Sequence, residues 1–316
     1  MKPDIDNAVT GNKIHEISEE PTYSGINSFY RRKYTKDLKE VDIAITGVPL
    51  DLTVTHRPGT RFGPQAIRQA SAIMAWEIPW PWTFNPFKEL TVIDYGDCYF
   101  DPGKPDTICQ SIEDHAATIL KSGASVLTLG GDHYISYPLL KAHAKVHGPL
   151  SLIHFDAHSD TWAEEEKRMD HGSMFYHAAK EGLIVPWRSA QIGLRTQNDE
   201  THGLNIINAR MVHAMGPKAV AEEIKRIVGD HKVYLTFDID CLDPAFAPGT
   251  GTPVIGGLSS FQALEIIRAL PGINLVGMDV VEVSPPYDVG AITALAAATI
   301  AAELLCLKVA SKDADD

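Results

Sequence analysis

The chain is predicted to fold as an α/β protein, a three-layer α/β/α sandwich with a mainly parallel central sheet. Two observations carry this. Its strand-like runs are apolar and β-branched without polar alternation, as strands covered on both faces require. Each is followed by a helix-patterned stretch of ten or more residues, the arrangement a parallel crossover needs. In order, VDIAITGV (41–48) precedes a helical pattern at 63–75, LTVIDYG (90–96) one at 105–122, and SVLTLGG (125–131) one at 135–146. LSLIHFD (150–156) precedes 171–182, AQIGLR (190–195) precedes 217–229, VYLTFDID (233–240) precedes 259–270, and INLVGMDVVEV (273–283) precedes 290–310. Residues 1–40 and the Pro- and Trp-rich stretch 78–87 fit neither pattern and read as an N-terminal arm and a surface loop, leaving 41–316 as one domain.

Composition narrows the function classes. The 316 residues carry 41 acidic and 28 basic side chains, a formal charge of -13, which speaks against a nucleic-acid binder. With 44% hydrophobic and 22% charged residues the chain can build a substantial core, so disorder is excluded. Cys98, Cys109, Cys241 and Cys306 form no CxxC pair, which argues against a zinc ribbon or a disulfide framework and fits a reducing, cytoplasmic setting. The acid-rich N-terminus lacks an apolar signal region, so it is expected to remain on the mature chain. The stretch 291–307 is nearly all Ala, Leu and Ile but is interrupted by Thr293, Thr299 and Glu303 and closed by Lys308. It falls short of a membrane span and reads as a core helix whose small side chains permit close packing.

In parallel α/β folds, ligands bind outside the carboxyl ends of the strands. Three strand ends here are loaded with acids and histidines: Gly130 to His133, His154 to Asp160, and Asp238 to Pro244. Asp156, His158 and Asp160 are spaced by two, as are Asp238 and Asp240, so on an extended chain each set projects to one side. Carboxylates packed at the mouth of an apolar sheet are costly unless a cation neutralises them. His133, Asp156, His158, Asp160, Asp238 and Asp240 offer more ligands than one tetrahedral zinc takes, and their oxygen-dominated chemistry favours two Mn²⁺ ions sharing bridging aspartates. One such pair alone is more often a turn or a helix cap, but three incidental clusters are improbable. His154 lies deeper in its strand and reads as a hydrogen-bonded core histidine. No basic residue is adjacent to Cys241 in the sequence, and it reads as a packing residue.

The motifs GGDH, DAHSD and TFDIDCLDPAFAPGTGTP resemble the three signatures of the ureohydrolase family, the dimanganese enzymes comprising arginases, agmatinases and guanidino-acid hydrolases. The likeness runs from about Val41 to the C-terminal helix and, through DHGSMFYHAAKEGL and VGMDVVEVSPPYD, leans toward the bacterial agmatinases. Thr236 stands where the family pattern commonly has Ser, a swap expected to be tolerated. The resemblance implies an arginase-like fold, two Mn²⁺ per subunit, a homo-oligomer (trimer or hexamer), and hydrolysis of a guanidinium by a metal-bridging hydroxide. A planar guanidinium is matched by a carboxylate, a role that falls to Glu282. Asp160 is expected to relay a proton and His171 to shuttle one between site and solvent. The predicted substrate is a small cationic guanidino compound, agmatine, cleaved to putrescine and urea in polyamine biosynthesis. The loop Thr161 to Glu166 lacks the Asn and Ser that arginases place there, and its acids suit a distal ammonium, although Lys167 and Arg168 would suit a carboxylate. The alternatives are guanidinobutyrate, guanidinopropionate or arginine as substrate, a non-catalytic metal-binding relative, and a metal-dependent deacylase of similar fold. The intact ligand set disfavours the second and the second Asp-x-Asp arm the third.

Overall fold

The computed structural model describes residues 21–76, 78–162 and 169–312. Eight strands form one sheet: β1 (Ile43–Val48), β2 (Val92–Asp97), β3 (Ser125–Gly130), β4 (Ser151–Phe155), β5 (Ala190–Ile192), β6 (Asn205–Ile207), β7 (Lys232–Asp238) and β8 (Asn274–Val281). Their order is β2-β1-β3-β8-β7-β4-β5-β6, and every pairing in the ladder is parallel. The helices are α1 (Gly63–Ser71), α2 (Pro86–Glu89), α3 (Ile108–Leu120), α4 (Ser136–His147), α5 (Met174–Lys180), α6 (Ala209–Met215), α7 (Pro217–Val228), α8 (Ser260–Arg268) and α9 (Ile292–Lys312).

The three layers follow from strand alternation. Ile43 and Ile45 of β1 join a core built with α1, α7, α8 and α9, whereas Ala44 and Val48 join a second core with α3, α4 and α5. Both faces are therefore apolar and covered, which is why the strands show no polar alternation. The alanine-rich helix α9 packs on α1, α8 and β8, with 72% of its most apolar window buried inside the fold. Its interrupting acid, Glu303, is neutralised where it lies: it accepts from Arg268 Nε at 3.0 Å and from Trp82 Nε1 at 2.6 Å. The loop at 78–87 thus straps onto α8 and α9, and its last two residues open the one-turn α2. Of the N-terminal arm, residues 1–20 lie outside the described residues. Residues 29–31 make a buried 3₁₀ turn, with Phe29 N–H donating to Asp94 Oδ2 and Tyr30 N–H to Ser71 Oγ, both at 2.8 Å.

Three expectations are corrected. The strand read at 190–195 stops at Ile192, because Gly193 adopts a φ of +95° and leaves room for Cys241 Sγ, which a Cβ there would approach to 2.7 Å. The helix read at 171–182 begins only at Met174, since Asp170 to Ser173 form a turn closed by Gly172 N–H to Asp170 Oδ1. The elements β6, α2 and α6 were not anticipated: three, four and seven residues long, they are too short to show a period.

Candidate metal centre

The four strands that feed the predicted site, β3, β8, β7 and β4, are contiguous at the centre of the sheet, so their carboxyl ends deliver His133, Glu282, Asp238 with Asp240, and Asp156 to Asp160 to one place. The convergence is not that of an extended chain. Past β4 the backbone turns, with His158 N–H donating to Asp156 Oδ1 at 2.6 Å, and Asp160 takes a left-handed φ of +53°. Past β7 the chain enters a 3₁₀ turn, with Asp240 N–H donating to Asp238 Oδ1 at 2.7 Å. These turns, rather than a two-residue repeat, aim the carboxylates at one another.

All six predicted ligands meet. His133 Nδ1 lies 3.1 Å from Asp156 Oδ2, 3.0 Å from Asp160 Oδ2 and 3.2 Å from Asp238 Oδ2. His158 Nδ1 lies 3.1 Å from Asp240 Oδ2 and 3.3 Å from Asp156 Oδ1. Asp156 therefore stands between two half-sites. His133 Nδ1 is buried and aligned with none of its carboxylate neighbours for a hydrogen bond. Separations of about 3 Å between such donors are those of adjacent ligands around a small divalent ion bonded at about 2.1 Å. The electrostatics agree. Burial, reinforced by the charge of Asp156, pushes Asp160 up to about 6, and burial with Asp240 and Asp156 drives Asp238 well above the carboxylate range. Burial opposes protonation of His158, but Asp240 and Asp156 outweigh it and raise the imidazole to about 12. Carboxylates and imidazoles crowded and buried in this way are the donors that divalent cations take. The residues present fit a metal pair.

The supports of these ligands come from neighbouring strands. Thr236 is paired with Asp279 in the β7–β8 register, and its hydroxyl donates to Asp279 Oδ1. The one hydroxyl proton being so used, Thr236 Oγ1 accepts from His133 Nε2 at 2.8 Å, which leaves Nδ1 to face the carboxylates. Ser136 Oγ and Tyr234 OH also donate to Asp279, at 2.8 and 2.7 Å. His154 accepts from Gln191 Nε2 at Nδ1 (2.9 Å) and donates from Nε2 to Asp156 Oδ2 (2.7 Å), so both ring nitrogens are in use. Cys241 is fully buried with its thiol pushed up by burial. Thr236→Val is expected to weaken metal binding about 10–100-fold and destabilise the protein by about 1–3 kcal/mol, because it orphans both His133 Nε2 and an Asp279 oxygen. Thr236→Ser should match the parent in metal titration and thermal melting, and equal behaviour of the Val variant would refute the relay.

Beside the cluster, Glu282 accepts at Oε1 from His133 N–H (2.8 Å) and His171 Nδ1–H (3.0 Å), while its Oε2 is buried without a partner. Its backbone φ is +65°, a conformation that costs a non-glycine residue about 1–3 kcal/mol and clusters at functional sites. Gly251 leaves the free oxygen its space: a Cβ there would sit 3.3 Å from it. Burial lowers the basicity of His171, but Glu282 more than compensates and raises it to about 9. A cleft of about 370 Å³ opens over the cluster, walled by His158, Asp160, Asp238, His171, Thr55 and Trp162. Thr55 Oγ1 meets His171 Nε2 at 3.1 Å. Asp132 of GGDH is buried, pushed up to about 7 mainly by that burial, and accepts the Thr53 N–H at 3.1 Å, so it anchors the β1 loop that carries Thr55. Thr55, Trp162, Gln191 and Asp279 were not singled out from the sequence. Thr55 follows a strand end, as the ligands do, but a lone hydroxyl carries no distinctive pattern. The acids Glu164 to Glu166, with Lys167 and Arg168, lie outside the described residues.

An all-parallel α/β sandwich with a carboxylate–imidazole cluster at its central strand ends defines a protein of the arginase-like class. The profile of the Arginase family matches residues 41–306, so the chain belongs to that family. Within it, the likeness is to the agmatinase-type ureohydrolases. An agmatinase of Chromobacterium violaceum is 57% identical over 304 residues, covering 96% of this chain and 94% of the relative. The crystal structure of a hypothetical agmatinase from Burkholderia thailandensis matches with a TM-score of 0.95 at 57% identity, covering 98% of each chain. Proclavaminate amidino hydrolase from Streptomyces clavuligerus matches with a TM-score of 0.88 at 37% identity, covering 92% of this chain and 100% of that one.

Proposed function

We propose that this chain hydrolyses agmatine to putrescine and urea, with two Mn²⁺ ions held by His133, Asp156, His158, Asp160, Asp238 and Asp240. The observation that carries the reading is the unpartnered buried oxygen of Glu282, whose other oxygen is tied to His133 of the cluster and to His171 on the cleft wall. The high identity to agmatinases over nearly the whole chain supports the choice of substrate. When bound, a pair of divalent cations supplies an acidified water as nucleophile at neutral pH.

The chain's own groups do the rest. Glu282 Oε2 pairs with the N–H edge of the guanidinium and turns its carbon toward the cluster, while Oε1 stays committed to His133 and His171. Water adds to that carbon and the C–N bond to the butylamine chain breaks. The departing nitrogen must gain a proton, and His171, protonated at neutral pH because Glu282 holds it so, supplies one. Asp160, a carboxylate of the cluster that also faces the cleft, accepts the proton that the attacking water gives up. The acidic surplus of the chain favours the approach of a doubly charged cation.

A panel of agmatine, arginine, guanidinobutyrate and guanidinopropionate, assayed for urea release by Mn²⁺-loaded protein, tests this. Agmatine is expected to lead by at least about tenfold in kcat/KM, the worth of one matched charge. Preference for a carboxylated guanidine would replace the substrate, and metal binding without turnover of any guanidine would remove the catalytic reading altogether. The same reading carries a homo-oligomer, trimer or hexamer, working in the cytoplasm in polyamine biosynthesis.

A further inference from the structure

We propose that Arg195 is a positioning residue for one of the two metal half-sites, that of His158 and Asp240. The inference rests on the binuclear reading above. Arg195 lies just past β5, and its guanidinium makes six donor contacts, all to backbone carbonyl oxygens, with one Nη2 hydrogen shared between two acceptors. Nε donates to Val254 O at 3.1 Å, Nη1 to Gly193 O at 3.1 Å and Cys241 O at 3.3 Å, and Nη2 to Asp240 O at 2.6 Å, Val254 O at 2.8 Å and Leu242 O at 3.3 Å. The 3₁₀ turn that carries Asp240 and the residue after it offer the fork three successive carbonyls; Cys241 O also accepts the Leu258 N–H at 3.1 Å, and the fork supplies donors to Asp240 O and Leu242 O. A planar fork of five N–H groups meets them at once, which a lysine's point charge does not. Gly257 keeps the space for the fork: a Cβ there would come within 2.7 Å of Nη2.

The backbone of the same residue holds the other half of the pair. Arg195 N–H donates to Ala157 O at 2.9 Å, between Asp156 and His158. Ala157 N–H in turn donates to Asp240 Oδ1 at 3.1 Å. Arg195 thus fastens the β4 loop and the β7 loop to each other around the His158–Asp240 contact, and none of its bonds ends on His133, Asp160 or Asp238. Loss of the fork acts on one ion and spares the other.

The test is a Mn²⁺ titration of the wild type, Arg195→Gln and Arg195→Lys, read by metal analysis and by the electron paramagnetic resonance of the bound ions. Wild-type protein is expected to hold two ions with an exchange-coupled spectrum. Both variants should bind one ion as before and the second about 10–100-fold more weakly, giving an uncoupled spectrum at intermediate Mn²⁺ that becomes coupled at high Mn²⁺. The lysine variant keeps the charge and the apolar stem, so it remains readable if the glutamine variant does not fold. Two tightly bound ions in both variants would overturn the proposal, and so would parallel weakening of both ions. A wild type that takes up only one ion would instead overturn the binuclear reading.

Discussion

Asp156→Ala is expected to abolish turnover and strip both ions, cutting kcat by at least about 10³-fold. Its two carboxylate oxygens face the two half-sites separately, Oδ2 at 3.1 Å from His133 Nδ1 and Oδ1 at 3.3 Å from His158 Nδ1. Among the described residues it is the carboxylate that lies against both imidazoles, so no neighbour can replace it. Its loss also removes the acceptor for His154 Nε2 and for the His158 N–H, freeing the β4 loop. Asp240→Ala should share the loss of activity with a lower metal content, because of the two imidazoles of the cluster Asp240 lies against that of His158. Metal analysis beside urea release decides the matter. Two ions retained in Asp156→Ala would remove it from the bridging position.

Glu282→Gln should leave the metal content unchanged and lower kcat by about 10²–10³-fold, the usual worth of one aligned charged group at a reacting centre. The amide oxygen can still accept from the His133 N–H, so the cluster keeps its shape. What changes is the free end. A donor NH₂ replaces the acceptor Oε2 and meets the N–H edge of a guanidinium, donor against donor. The pH dependence shifts with it. His171 is raised to about 9, with Glu282 as its chief support against burial, so its protonated form persists through neutral pH and is lost only as pH climbs past that value. Without the carboxylate, His171 releases its proton at lower pH, and the alkaline limb of kcat should move down by more than one unit. An unmoved limb would separate His171 from proton delivery. A loss of bound Mn²⁺ would place Glu282 among the ligands.

The parallel sheet was legible because strands buried on both faces cannot alternate polar and apolar residues, and β1, β3, β7 and β8 do not. The edge was harder: β6 spans three residues and α6 seven, so neither displays a period. The acids of the site were legible because several carboxylates at apolar strand ends demand an explanation. Their supports were not. Asp279 reaches Thr236 only through the β7–β8 register, and Arg195 recognises carbonyls, which every residue possesses. Spacing picked out residues that do converge, but for a partly wrong reason, since Asp160 arrives by a left-handed turn and not along an extended strand. The role of His171 came from family likeness and that of Glu282 from its strand-end position as well, and the hydrogen bond between them became visible only in three dimensions.

The contiguity of β3, β8, β7 and β4 bears on how the ions enter. Each of these strands is hydrogen-bonded on both sides, so the ends that bear the donors are anchored in the part of the fold least able to open on its own. Placement of the candidate ligands follows from the sheet, unlike that in small domains that gain their structure from a metal. The candidate ligands thus take their positions from the same sheet that organises both cores.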